Sequence, residues 1–360
     1  MHQPPYTVVL IVPTGVGASI GGYAGDAMPV ARAIAQVSDR LITHPNVLNG
    51  AQLYWPLANT SYVEGYALDK FASTCWGLRP VRQNKVGLIL DRAIEPELRL
   101  RHLQAAEATR ATLGLNLTDC TVTDASLEVQ LRIAPSGASW GTIGNTGSLL
   151  RAAETLIDRA GAEAIAIVAR FPDDTDSEIL QNYRHGKGVD PLAGAEAVIS
   201  HLIVRTFKIP AAHAPALMPL PADPDVSPRA AAEELGYTFL PCVLVGLSRA
   251  PQFIISKDNY TPSPQDIWAE QVDAVVVPAS ACGGSAVMSF SSLGVRVVAV
   301  EENKTKMEVS PESLGIKAIR VNSYLEALGF LVTHRAGINP DSLRPTLSSL
   351  NCLSVNRDQS

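Results

Sequence analysis

The sequence predicts an α/β protein: a mostly parallel, mixed sheet with helices on both faces, arranged as two Rossmann-like lobes around a common cleft. Three observations carry this expectation. Short continuous runs of Val, Ile and Leu, such as TVVLIV (7–12) and DAVVV (273–277), have the composition of strands covered on both faces. Helical periodicities separate most of these runs, so successive strands are joined by crossovers and lie parallel. Two of the runs, at opposite ends of the chain, stop at a proline (Pro13, Pro278) and open into a glycine-rich loop. That shared pattern predicts one sheet built from both termini, with a ligand at its strand ends.

Taken in order, strand 7–12 leads through its glycine loop to a helix at 27–38. Residues 43–82, rich in Asn, Tyr, Trp and Gly with few periodic apolar positions, read as a long irregular excursion, a kind of segment that is often functional. KVGLILD (85–91) is a strand and 97–113 a helix. The runs 117–123 and 127–133 alternate in polarity and read as an antiparallel pair, which makes the sheet mixed. Helix 146–160 places Leu149, Leu150, Ala153, Leu156 and Ile157 on one face. Strand 163–170 and helix 191–206 follow. Residues 210–228 hold six prolines and read as a connector without regular structure. A helix at 228–235, strands at 240–246 (LPCVLVG), 273–277 and 295–300, and helices at 284–293 and 323–333 complete the pattern. The expected domains are 1–84 plus 236–340, an inserted lobe 85–209, the connector 210–235 and a polar peripheral tail 341–360.

At 360 residues the chain exceeds what one hydrophobic core usually serves. With 46% hydrophobic and 18% charged residues it is a well-packed soluble chain. A net charge of −6, scattered Lys and Arg and only 6% aromatic residues argue against a nucleic-acid partner. Apolar runs are strand-sized, and the start MHQPPYTVVL lacks the layout of a secretory signal, so the expected location is cytoplasmic with no membrane partner. Cys75, Cys120, Cys242, Cys282 and Cys352 are odd in number, far apart and form no CxxC, which points to reduced thiols and no zinc site.

Four segments carry candidate chemistry. In the first loop, Thr14, Gly15, Gly17 and Ser19 form a phosphate or carboxylate cradle or, with equal weight, a tight strand-to-helix turn. The spacing is neither a dinucleotide fingerprint, since the next glycine is Gly21 instead of residue 20, nor a Walker loop. Asn145, Thr146 and Gly147 open helix 146–160, where a backbone-rich loop meets a helix N-terminus. YRHGKGVDPLAGAEAVISH (183–201) is the densest ionisable cluster. Asp190 before Pro191 is a natural helix start, whereas Arg184, His185 and Lys187 are free to face an anion, with His185 as general acid or base and Lys187 as electrostatic clamp. Glu196 and His201 lie roughly 140° apart on one helix and cannot share a metal. His201 reads as a core histidine, and His185, His201 and His213 have no metal spacing. The last loop supplies Ser280, Cys282, Gly283, Gly284 and Ser285. Its position before a helix would lower the Cys282 thiol pKa, although a merely small residue is the preferred reading. Glu301, Asn303, Lys304 and Thr305 follow the next parallel strand, with Glu301 a third catalytic candidate.

The set IVPTGVGASIGGYAGDA, GNTGSLLRAAE, RHGKGVDPLAGAEAVISH, AHAPAL, VVPASACGGSA and VEENKT resembles, in order over nearly the whole chain, a family of unknown function found in cyanobacteria and photosynthetic eukaryotes. The resemblance implies lineage and a soluble location and brings no catalytic residues. The Ile143-Gly144-Asn145-Thr146 turn alone is similar to that of nicotinate-nucleotide:dimethylbenzimidazole phosphoribosyltransferases. The resulting expectation is an enzyme that acts on a small anionic, phosphorylated or carboxylated metabolite by group transfer or hydrolysis. The alternatives are nucleotide or phosphoribosyl transfer, and a binding regulator without turnover. Cofactor and self-association are left open.

Overall fold

A computed structural model describes residues 4–23, 25–48, 53–173, 177–234, 240–255 and 260–352. Residues 49–52 of the excursion, 235 of the helix 228–235, 236–239 of the C-terminal lobe and 353–360 of the tail lie outside the described residues. The strands are β1 (Thr7–Leu10), β2 (Arg40–Thr43), β3 (Thr60–Tyr62), β4 (Gly77–Arg79), β5 (Val86–Leu90), β6 (Leu117–Val122) and β7 (Val129–Ile133). They continue with β8 (Ser139–Ile143), β9 (Ala164–Arg170), β10 (Ala211–Ala216), β11 (Gln252–Ile254), β12 (Ala274–Pro278), β13 (Arg296–Val300) and β14 (Ala318–Val321).

Six strands form one parallel sheet in the order β14-β13-β12-β1-β2-β3, and four form a second in the order β10-β9-β5-β6, also parallel. Counted within its own sheet, the first reads 3-2-1-4-5-6, the order of doubly wound α/β folds, with the chain reversing its direction of winding between β1 and β12. Both termini therefore build one sheet. Val8 pairs with Ala274 and Leu10 with Val276, and the Thr7 N–H donates to the Asp273 carboxylate at 2.8 Å to fix that register. Antiparallel pairs β4–β11 and β7–β8 lie outside both sheets.

Strand alternation sends side chains into two cores. Val9, Ile42, Val275 and Val277 enter one, which continues through Ile89, Ile165 and Ile167 of the second sheet. Val8, Leu10, Val276 and Val298 enter the other, which continues through Val86, Leu90 and Val168. Helices Met28–Val37 and Tyr324–Arg335 cover one face of the first sheet, and Gly65–Ala72 and Ser285–Ser292 the other, where Phe71 and Phe290 meet edge to face at 6.2 Å. Helices Thr146–Ala160 and Ala193–Phe207 join the first core.

The structure corrects four local readings. Residues 240–248 form a helix, not a strand: every residue of Leu240–Ser248 except the half-buried Pro241 is buried, so the run lacks the polar stripe that would have marked its 3.6-residue period. Residues 117–122 and 129–133 do not pair with each other; β6 is a parallel edge strand on β5, alternating because one face meets solvent, and β7 pairs with β8. The proline-rich segment begins with β10, an edge strand on which Pro215 needs no ladder partner for its missing N–H. The excursion contains β3, β4 and helix Gly65–Ala72, which buries Ala67, Leu68, Phe71 and Ala72. These elements are too short for their periodicity to stand out.

Helix Ala193–Phe207 crosses β8 at backbone contact, because a Cβ on Gly194 would collide with the Trp140 backbone and the Ser139 carbonyl. We expect Gly194→Ala to cost roughly 1–3 kcal/mol, as overpacking does. Gly329→Ala, in an exposed helix with open space at its Cβ, should instead stabilise by up to about 1 kcal/mol. Denaturant unfolding of the two variants checks the contrast; equal effects would contradict the packing described.

Candidate active-site cleft

The loops after β1 and β12 leave neighbouring parallel strands at the point where the winding reverses, where α/β folds open a crevice. The first is held tightly. Asn303, fully buried, accepts the Ile20 N–H at 2.8 Å and donates to the Ile20 carbonyl at 2.9 Å and to the Tyr324 hydroxyl at 2.7 Å. Gly17 has φ +64°, and a Cβ there would press on the Gly188 carbonyl at 2.8 Å, so the loop lies directly against residues 186–188. The Ser280 hydroxyl accepts the Thr305 N–H at 2.8 Å and ties the second loop to the segment after β13.

Two cavities meet at these loops. One, about 420 Å³, is lined by Thr14, His44, Glu64, Asp69, Asp190, Glu196, His201, His213, Glu233 and Gly283–Ser285, and has no Lys or Arg in its lining. The other, about 940 Å³, is lined by Gly17–Ser19, Tyr23, His185, Gly186, Gly188, Arg229, Ser280, Glu301 and Lys304–Lys306. Four segments send near-adjacent residues into both: Thr14 and Gly17, Asp190 and Gly188, Glu233 and Arg229, Ala281 and Ser280. Between them stands a stacked pair, Tyr23 and Tyr183, with ring centroids 4.5 Å apart and the Tyr183 hydroxyl donating to Glu233.

In the acidic cavity each group is oriented by a second contact. Glu64 caps helix Gly65–Ala72, accepting the Tyr66 N–H at 2.8 Å with Oε2, while Oε1 pairs with His201 Nδ1. Burial works against the charged imidazole of His201, and the Glu64 hydrogen bond and the charges of Glu64 and Asp69 outweigh it, so its pKa is raised. Asp69 accepts the Ala286 N–H at 3.0 Å and thereby meets the N-terminus of helix Ser285–Ser292, while burial raises its pKa. The His213 ring hydrogen-bonds the Ser200 hydroxyl through Nδ1 and lies 3.6 Å from Glu196 through Nε2. Burial, then the charge of Glu196, pushes Asp190 up to about 7, even though its carboxylate accepts the Leu192 N–H. Burial and the Asp190 charge likewise hold Glu233 well above the usual carboxylate range. His44 accepts the Val12 N–H at 2.9 Å through Nε2, and burial lowers its pKa to about 4, so it is neutral. Among the described residues no three His, Cys, Asp or Glu groups converge as a metal site.

The sequence-derived candidates divide between these places. Thr14, Asp190, Gly283, Gly284 and Ser285 line the acidic cavity; Gly17, Ser19, His185, Ser280, Glu301, Lys304 and Thr305 line the other. His185 bonds Asp223 at 3.0 Å, and Glu301 pairs with Arg320. Lys187 is exposed, and it is its neighbours Gly186 and Gly188 that line the cavity. Arg184 is a buried strut, donating to Glu234 and the Pro221 carbonyl at 2.8 Å each. Gly15 packs on Ser139, and Asn145, Thr146 and Gly147 line neither cavity; the Asn145 amide donates to the Ser126 carbonyl at 2.7 Å. Cys282 is fully buried, and burial pushes its thiol up to about 11, the opposite of the lowering that its place before a helix suggested. His201 is a half-exposed cavity residue, not a core histidine. His44, Glu64, Asp69 and Glu233 escaped sequence reading. One signal was present, because a Glu in the N-cap position in place of Ser, Thr, Asp or Asn is a carboxylate with a second task.

Fold and cleft together define a class: an α/β protein of two parallel sheets with a carboxylate- and imidazole-lined cavity beside a basic one. The chain belongs to the DUF3326 family of proteins of unknown function, whose family model matches residues 7–344. It is 58% identical over 348 residues, covering 96% of each chain, to a protein of Synechococcus sp. (strain ATCC 27144 / PCC 6301 / SAUG 1402/1) named as an uncharacterized lipoprotein. No solved structure matches the chain. No helix among the described residues is long and apolar enough to cross a membrane.

Two measurements probe the cleft. Because Asp190 titrates near 7 in the fold against 3.8 when unfolded, the native state holds a proton across that window that the unfolded chain has lost, and stability falls as pH rises through it. Asp190→Asn should therefore melt higher than the parent at pH 8, by roughly 2–4 °C, and alike near pH 4. Alkylation by iodoacetamide at neutral pH should modify exposed Cys75 and spare Cys282 until the protein unfolds.

Proposed function

We propose that the protein is an enzyme that holds the anionic end of a small metabolite in the basic cavity and carries out proton transfer in the acidic one, in a group transfer or hydrolysis. The observation that supports this is the set of four segments lining both cavities with near-adjacent residues, which lets one small molecule reach both. Lys304, Lys306 and His185, with the backbone of residues 17–19 and 186–188, provide the anion anchor. His201 oriented by Glu64 and Asp190 titrating near neutrality are the acid and base, since a group works best when its pKa lies near the operating pH. Gly283–Ser285, expected to cradle an anion, serve instead as wall, because Asp69 already answers the helix N-terminus behind them. A cytoplasmic location belongs to the same reading. The name of the Synechococcus relative makes membrane attachment the competing outcome, and cell fractionation separates the two.

Mass spectrometry of small molecules released by denaturing the purified protein should find an anionic metabolite. Lys304→Met/Lys306→Met should lose it and also lose inorganic phosphate binding by calorimetry, with stability changed by no more than about 0.5 kcal/mol per exposed site. His201→Gln should keep the ligand and lose turnover. A cationic ligand, or one retained by the double variant, would remove the anchor from the proposal.

A further inference from the structure

His44 is more than nine-tenths buried, and its hydrogen-bond chemistry is fixed by its surroundings. Since Nε2 accepts the Val12 N–H, the ring hydrogen sits on Nδ1. Nδ1 has no partner among the described residues and is not among the buried unsatisfied atoms, so it is open to the cavity that His44 lines. A buried neutral N–H left without an acceptor is costly, which points to a ligand atom that accepts from it. Around it stand acceptors: Asp190, Glu196 and Glu233 turn carboxyl groups to the same space, with no Lys or Arg in the lining.

This combination selects one kind of chemical group. A phosphate or carboxylate would satisfy His44 but face the carboxylates. An ammonium would satisfy the carboxylates but meet the His44 N–H with like polarity. An apolar group would leave donor and acceptors all unpaired. A hydroxyl both accepts from a fixed N–H and donates to a carboxylate, and adjacent hydroxyls do so at two points. A volume of about 420 Å³ accommodates a sugar ring.

We propose that the acidic cavity binds the hydroxyl-bearing head of a sugar-like molecule whose anionic end lies in the basic cavity. The second half of this statement rests on the function proposed above; the first rests on His44 and the carboxylates alone.

Calorimetry on the full chain tests the two halves separately, with inorganic phosphate, free ribose, ribose 5-phosphate and glucose 6-phosphate, and the 2-deoxy forms of both sugar phosphates. At least one sugar phosphate should bind more tightly than inorganic phosphate, and its deoxy form roughly tenfold more weakly, the usual effect of losing a hydrogen bond to a charged group. Glu196→Gln should weaken the sugar phosphate at least about fivefold and leave phosphate affinity unchanged. His44→Phe should do the same, and Glu196→Gln carries the test if that variant fails to fold. If the deoxy form or both variants bind as the parent does, or if the sugar phosphates bind no better than phosphate, the head-group assignment is overturned and the anion anchor stands. Ribose binding that is lost in Glu196→Gln, with no phosphate binding, overturns the anchor and keeps the head-group assignment. No binding of any probe at millimolar concentration overturns both.

Discussion

The parallel pairing of β1 with β12 is the constraint on which the rest of the molecule depends. It joins strands separated by more than two hundred residues, and the crossover between β3 and β12 contains the whole second sheet. Loop-closure entropy grows only slowly with length, so a connection this long is tolerated once the ladder and the flanking valines are buried. What the pairing creates is a reversal of winding, and with it a crevice into which both glycine loops open. The second sheet then supplies the opposite wall through Asp190, Glu196, His201 and His213.

The protein's own carboxylates answer the helix N-termini that face this crevice. Glu64 caps helix Gly65–Ala72, and Asp69 receives the first free N–H of helix Ser285–Ser292. The partial positive charge of each terminus is thereby met from within, and the electrostatics of the acidic cavity are left to side chains. Lysines are confined to the neighbouring cavity, where Lys304 and Lys306 follow β13. Two compartments of opposite character thus share one set of loops.

The sheet was legible in the sequence because burial on both faces leaves unbroken Val, Ile and Leu, as in β1, β12 and β13. Long helices were legible through their stripes and caps. Leu240–Ser248 was not, because burial all round erases the stripe, and β10 was hidden by a proline that only an edge strand admits. For the site, the loops were visible as glycines, since positive φ and close backbone approach demand them. His44, Glu64 and Asp69 were invisible because nothing local marks them: each sits in a short element of the segment read as irregular, and only the tertiary fold turns them toward residues 190–213. Arg184 and Asn303 show the converse, polar residues in suggestive loops that serve as internal struts.

Each hydrophobic core passes from one sheet into the other, so Val9 and Ile167 belong to one body, as do Leu10 and Val168. A molecule built this way has no seam along which two halves could swing apart like jaws. Solute traffic into the inner chamber then falls to small parts of its wall, above all the tyrosine pair between the compartments, and the cleft keeps its shape whether it is empty or filled.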